Sequence, residues 1–121
     1  MTYTVKFINL EETDKDLIIS FAIEGLGFDI NSLTLLRTLF FEEVLPEGER
    51  GVHVTYEGDL FEQEDFNMLS SIKISDGIAW IKSTFREYCL DISKLEKTDI
   101  EEMVELLKKQ NYDNRFTINI A

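Results

Sequence analysis

The chain has 121 residues, 44% of them hydrophobic and 12% aromatic, which is enough apolar material for one domain over residues 1–121. Its 24 acidic residues outnumber 12 lysines and arginines, giving a formal net charge of −12. This charge disfavours nucleic acid and anionic membranes as partners and favours a basic protein. No apolar run is long enough to span a membrane. A single cysteine, Cys89, suits a reducing compartment, so we expect the cytoplasm.

The first half of the chain predicts four strands from its alternation of apolar and polar residues. We expect them at residues 3–8, 16–24, 32–41 and 52–56. In the first strand, Tyr3, Val5 and Phe7 should share a face. The second is apolar on both faces, which predicts an interior strand. A helical stripe also fits the third segment, but its threonine and aromatic residues favour a strand.

Residues 70–83 predict a β-hairpin whose turn is Asp76-Gly77. This dipeptide readily adopts the positive φ angles of a type I′ turn. The register then pairs Lys73 with Trp80 and leaves an isoleucine-rich face on the other side. If the helix covers the isoleucine face, Trp80 points outward between Lys73 and Lys82. Alternatively, the helix covers the Trp80 face, or the sheet curls and buries both faces.

The C-terminal part predicts a strand over residues 86–92, a helix, and a possible last strand over 115–120. Thr98 and Glu101 have the spacing of a capping box, which predicts the start of the helix. Its apolar stripe comprises Ile100, Met103, Val104 and Leu107. The expected fold class is α+β: a mostly antiparallel sheet of about six or seven strands with one C-terminal amphipathic helix packed on one face.

Residue types suited to catalysis are sparse. His53 is the only histidine, and a pair with Cys89 is disfavoured because Glu87 and Asp91 on the same face oppose a thiolate. One cysteine and one histidine make a poor zinc site, and the acidic spacings match no calcium loop. Paired carboxylates of the glycosidase kind are abundant, but the chain leaves little room for a cleft. We therefore expect no catalytic residues, no metal, no cofactor and no enzymatic activity.

The acidic charge is concentrated between residues 42 and 65, where nine acidic side chains accompany a single base, Arg50. This window carries a net −8, about two thirds of the total. It predicts two acidic loops that present a surface to a basic partner. The alternative is a pair of solvated loops that only keep the protein soluble. The expected partner-binding residues are Glu42, Glu43, Glu47, Glu49, Glu57, Asp59, Phe61, Glu62, Glu64, Asp65 and Trp80.

Residues 35–43 read Leu-Leu-Arg-Thr-Leu-Phe-Phe-Glu-Glu, and Gly51 with a short strand follows. This pattern resembles the immunity protein 10 family of bacterial polymorphic toxin systems, in which a strand ending in Leu-x-Arg runs into Leu-x-Phe and acidic residues. The resemblance covers roughly residues 16–111. It departs where the family has Tyr-Gly-Gly and residues 67–70 read Asn-Met-Leu-Ser. It implies an immunity protein that binds and neutralises a cognate toxin domain, and it implies no catalytic residues.

The resemblance agrees with the charge. Many such toxins are nucleases, and a cleft that holds phosphates is basic, so an inhibitor that fills it must present carboxylates. The expected partner is therefore a basic, nuclease-type toxin domain. The alternatives are an acidic DNA mimic that inhibits a DNA-binding protein, and a non-catalytic accessory subunit.

Overall fold

A computed structural model describes residues 2–25, 29–40, 42–57 and 67–120. Within these ranges it has eight strands and one helix, α1, at Lys97–Gln110, which confirms the α+β class. Two single 3₁₀ turns, Glu42–Val44 and Glu47–Glu49, precede the fourth strand. Among the described residues, no helix is long and apolar enough to cross a membrane. The strands are β1 Thr2–Glu12, β2 Asp16–Glu24, β3 Ile30–Thr38, β4 His53–Tyr56, β5 Leu69–Ser75, β6 Ile78–Ser83, β7 Glu87–Asp91 and β8 Thr117–Ile120.

All eight strands lie in one sheet, in the order β4-β3-β2-β1-β7-β6-β5-β8. Neighbours are antiparallel except for the parallel pairs β1–β7 and β5–β8. The sheet curls until β4 meets the chain that leads into β5. There the Val54 N–H donates to the Asn67 carbonyl and the Leu69 N–H donates to the Val52 carbonyl, both at 2.8 Å. The inner faces of the strands therefore enclose one core.

The core lies inside this curl. Three tyrosines from β1, β4 and β7 meet there edge to face, with centroids 5.3 Å apart for Tyr3 and Tyr56 and 5.7 Å apart for Tyr56 and Tyr88. β2 occupies an interior position, as its two apolar faces predict. Its inward row consists of Leu17, Ile19, Phe21 and Ile23, all buried.

Helix α1 packs on β1 and β2 and buries Met103, Leu106 and Leu107. The predicted capping box is wrong. The helix begins at Lys97, and its N-cap is Glu96, two residues before the predicted cap and with no side-chain cap bond, so Thr98 lies inside the first turn. The predicted apolar stripe is correct, although its members Ile100 and Val104 are only half-buried. They border an open groove beside the sheet.

The hairpin forms with the predicted register: Lys73 pairs with Trp80 and Ser75 with Ile78. Asp76 and Gly77 have φ angles of 52° and 74°, as the predicted turn requires. The isoleucine face lines the core. Trp80 points outward, is 44% exposed, and its ring lies 5.6 Å from Lys73 Nζ. The outward alternative for Trp80 is therefore the one that the structure adopts.

Two predicted strands differ from the structure. β1 contains a bulge between Val5 and Phe7, and it continues to Glu12. The extra residue of a bulge reverses the side to which all later side chains of the strand point. Phe7 is therefore exposed and Ile8 points inward, so Phe7 does not share the face of Val5. β3 ends at Thr38, before the two phenylalanines that were expected to extend it.

We predict that Gly77→Ala lowers the free energy of unfolding by about 1–2 kcal/mol, because alanine is strained at a positive φ. The nearest atom to an added Cβ is 3.4 Å away, so space is not the obstacle. Gly48→Ala is the control, because nothing lies within 4 Å of its added Cβ and its φ is not positive. It should change stability by less than about 1 kcal/mol. Urea denaturation measures both. Equal losses would contradict the assigned turn.

Candidate functional site

An arginine lies inside the sheet. The side chains of Leu33, Leu35 and Arg37 in β3 all point inward. Because alternate residues of a strand share a face, the guanidinium of Arg37 lies in the interior. The Arg37 side chain is 0% exposed. A buried charge is strongly destabilising unless it is paired and hydrogen-bonded. The surroundings of Arg37 must therefore supply both anions and acceptors.

Two carboxylates and a helix end supply them. Arg37 donates to Glu42 through Nε (2.9 Å) and Nη2, and to Asp113 through Nη1 (2.7 Å) and Nη2 (2.9 Å). Nη1 also donates to the carbonyl of Gln110 (2.8 Å) and Nη2 to the Tyr112 hydroxyl (3.0 Å). Every polar group of the guanidinium thus has a partner. We refer to Arg37, Glu42, Tyr112 and Asp113 as the Arg37 cluster.

The cluster shifts the pKa of each of its members. Burial alone would lower the pKa of Arg37, but the bonds to Asp113 and Glu42 raise it. Burial would raise the pKa of Glu42, but Arg37 and Tyr112 hold it below its ordinary value. The bond from Arg37 holds the pKa of Asp113 well below its usual range, and burial raises the pKa of Tyr112. The stability contributed by the two carboxylates is present above their unfolded pKa values of about 4. It is lost as the pH falls through their folded values.

Further guanidinium groups fix the loop of residues 42–50 between β3 and β4. Arg115 donates to Glu47 and to Asp113, at 2.6 Å in each case. Arg50 donates to two carbonyl oxygens of the loop, both at 3.0 Å. Asp113 therefore links Arg115 to the buried Arg37 cluster. The loop is held by side chains from the strand before it and from the segment after α1.

Glu42, the first predicted contact residue, does not lie on the surface. It is 6% exposed and its charge is neutralised by Arg37. The 3₁₀ turn at Glu42–Val44 accounts for this placement, since it turns Glu42 toward the sheet and leaves Glu43 exposed. We therefore remove Glu42 from the candidate contact residues.

The remaining predicted acids fall into three groups. Glu47 is exposed, but it pairs with Arg115 and with Arg50. Glu43, Glu49 and Glu57 have no ion pair with any described residue, and Glu43 and Glu57 are exposed. The third group, Asp59, Glu62, Glu64 and Asp65, lies outside the described part of the chain, between Glu57 and Asn67, as does the predicted contact residue Phe61.

Two of the described acids, Glu49 and Glu57, flank β4, and Glu43 and Glu47 lie in the 3₁₀ turns that precede it. At one end, the Glu49 carbonyl lies 3.1 Å from His53 Nε2. At the other, the Glu57 N–H donates to the Ser32 carbonyl at 3.0 Å. Four strand residues span about 13 Å, so one partner domain can contact both ends. We refer to Glu43, Glu47, Glu49 and Glu57 as the acidic surface.

Exposed apolar side chains that were not among the predicted contact residues accompany the acidic surface. Val44, beside Glu43, is 78% exposed. Phe85 is half-exposed, and its N–H donates to the Asn67 side chain, which is itself bonded to Val54 of β4. No sequence pattern predicts their exposure, because an isolated apolar residue in a loop can be either buried or exposed.

The structure does not bring His53 and Cys89, the catalytic pair considered from the sequence, next to each other. His53 and Cys89 both point to the outer face of the curled sheet, and β5 and β6 separate them even on the shorter way round, so the pair does not form. The Cys89 sulfur accepts a bond from the Thr2 hydroxyl at 3.7 Å. In residues 2–25, 29–40, 42–57 and 67–120, no group of three His, Cys, Asp or Glu side chains is placed to hold a metal ion.

Comparison of the chain with protein-family models, with curated proteins and with solved structures finds no match. A function must therefore be inferred from the surface itself.

We predict that Arg37→Met lowers the free energy of unfolding by about 3–5 kcal/mol, because it leaves Glu42 buried without its cation. Lys109→Met is the control. It breaks an exposed ion pair of similar length, 2.8 Å to Glu12, and should cost less than about 1 kcal/mol. Urea denaturation of both variants measures the difference. Similar losses would contradict a structural role specific to the buried pair.

Proposed function

We propose that this protein is a cytoplasmic immunity protein, which binds and neutralises a basic toxin domain through the acidic surface. It acts by occupying its partner, without catalysis and without a metal or cofactor. The observation that carries the proposal is the position of Glu43, Glu49 and Glu57, which have no ion pair among the described residues. Glu49 and Glu57 flank β4, and Glu43 lies in the loop of residues 42–50 that precedes this strand.

Electrostatics support a basic partner. Carboxylates concentrated on one part of the surface repel one another in the unbound protein, and a basic cleft relieves this repulsion. The resulting field also steers the encounter and penalises acidic partners. Asp59, Glu62, Glu64 and Asp65 belong to the same acidic window in the sequence and strengthen this expectation.

The fixed loop supports tight binding. Association costs less free energy when the contacting segment is already ordered. Arg50 and Arg115 bond to the loop of residues 42–50, so Glu43 and Val44 are presented from a held backbone. Val44 and Phe85 can serve as apolar anchors within an acidic rim.

Trp80 remains a second proposed contact. It is exposed, but its neighbours on the outer face include Lys73 and Lys82, the second of which pairs with Glu87. A basic cleft suits this face less well than it suits the acidic surface. Trp80 is therefore expected to contact a part of the partner outside the basic cleft.

The resemblance to immunity proteins supports a toxin as the partner. Two of the residues that carry it, Arg37 and Glu42, are bonded to each other and hold the loop that bears Glu43. Capture of the partner from the source cells and its identification separate the alternatives. A DNA-binding enzyme would indicate mimicry of DNA, and a constitutive enzyme complex would indicate an accessory subunit.

We predict that the double variant Glu43→Lys, Glu57→Lys associates more slowly with the captured partner and protects cells less well from it. The rate for the unmodified protein should fall as salt rises, since the Debye length shortens from about 10 Å at 0.1 M to about 3 Å at 1 M. Surface-plasmon kinetics at low and high salt measure both effects.

The matched control is the double variant Glu11→Lys, Glu102→Lys. It changes the net charge equally at two exposed acids that also have no ion pair among the described residues. It should retain most of the association rate. If both double variants slow association equally, only the overall charge matters and the acidic surface is not the binding site.

A further inference from the structure

Tyr112, just after α1, combines an exposed ring with a bonded hydroxyl. The residue is 60% exposed, more than Trp80 at 44%. Its hydroxyl accepts a hydrogen bond from Arg37 Nη2 and donates one to Glu42, both at 3.0 Å. One face of the ring lies on the guanidinium carbon of Arg37, which is 4.1 Å from the ring centroid. The ring is therefore held in one orientation while its remaining surface faces solvent.

A ring held in this way is suited to binding. A free side chain on the surface loses rotamer entropy when an interface immobilises it. Arg37 and Glu42 have already removed this freedom from Tyr112. Tyrosine is also among the residue types most enriched at binding hot spots. An exposed tyrosine that is ordered before binding is therefore a candidate anchor.

The ring of Tyr112 borders a small cavity. Glu43 and half-buried Leu39 line the same cavity, whose volume is about 220 Å³. Pockets that hold drug-sized molecules usually have about 300–1,000 Å³. This cavity therefore suits a single side chain of a partner.

The charges around the cavity determine the sign of that side chain. Three carboxylates and three guanidinium groups here pair with one another: Glu42, Glu47 and Asp113 with Arg37, Arg50 and Arg115. Glu43 lines the cavity and has no ion pair with any described residue. One negative charge is thus left uncompensated beside the ring, and a cationic side chain would neutralise it.

We propose that this cavity receives one arginine side chain of the basic partner, whose guanidinium stacks on the exposed face of Tyr112 and pairs with the carboxylate of Glu43. A guanidinium is planar and more weakly hydrated than the ammonium group of lysine, so it stacks better on an aromatic ring. Arginine is also common in clefts that bind phosphates, the kind of cleft expected of the partner. The identity of the partner rests on the proposed function, whereas the site can be tested with peptides alone.

Two peptides of equal charge, acetylated hexa-arginine amide and hexa-lysine amide, test the site. Calorimetry should show that the unmodified protein binds hexa-arginine at least about threefold more tightly, and NMR should show that this peptide shifts the ring resonances of Tyr112. Tyr112→Leu should abolish the preference and Tyr112→Phe should keep it, because both lose the hydroxyl but only leucine lacks the ring. Phe7→Leu, at another exposed ring (54%), should also keep it. Circular dichroism checks that all three variants fold.

Equal binding of the two peptides, or loss of the preference in Tyr112→Phe as well as in Tyr112→Leu, would overturn the proposal. With the captured partner, Tyr112→Leu should raise the Kd at least about tenfold, mainly through faster dissociation. If Tyr112→Leu binds the partner normally while the double variant Glu43→Lys, Glu57→Lys binds it poorly, this site is wrong and the proposed function stands. A captured partner that is not basic would overturn the proposed function even where the peptides bind as expected.

Discussion

The burial of one guanidinium sets the arrangement of this protein. Arg37 lies inside the sheet with no exposed surface, and its charge must be neutralised there. Its partners come from separate parts of the chain: Glu42 from the loop that follows the strand, and Asp113 with the Gln110 carbonyl from the end of the helix. One interaction therefore fixes β3, the β3–β4 loop and the segment after α1 relative to each other. The positive charge also lies at the carbonyl end of the helix, where it is favourable.

This constraint divides neighbouring acidic residues between two roles. Glu42 turns inward and is neutralised, whereas Glu43 remains exposed with no ion pair among the described residues. The exposed negative charge is thus carried by fewer side chains than the composition indicates. Glu43, which carries part of it, projects from a loop that Arg50 and Arg115 hold in place. A surface of this kind gains specificity for a basic partner from its geometry as well as from its charge.

The sequence predicted the local features well and the long-range ones poorly. The hairpin register follows from Asp76-Gly77 because a two-residue turn fixes which residues face each other. Arg37 lies at an inward position of its strand, which was a usable signal, but Asp113 is 76 residues away and no local pattern pairs the two. The bulge near Phe7 likewise depends on the neighbouring strand. Among the local features, the capping box at Thr98 failed because the helix begins at Lys97, with Glu96 as its N-cap.

The side-chain carboxyl groups of Glu42 and Asp113 report most directly on this account. Their titration can be followed by carbon-13 NMR in the intact protein. If both carboxylates are bonded to Arg37, both should stay ionised to pH values below the ordinary ones of about 4.3 for glutamate and 3.9 for aspartate. Titration of Glu42 and Asp113 at those ordinary values would show that the carboxylates do not neutralise a buried Arg37, and would contradict the account.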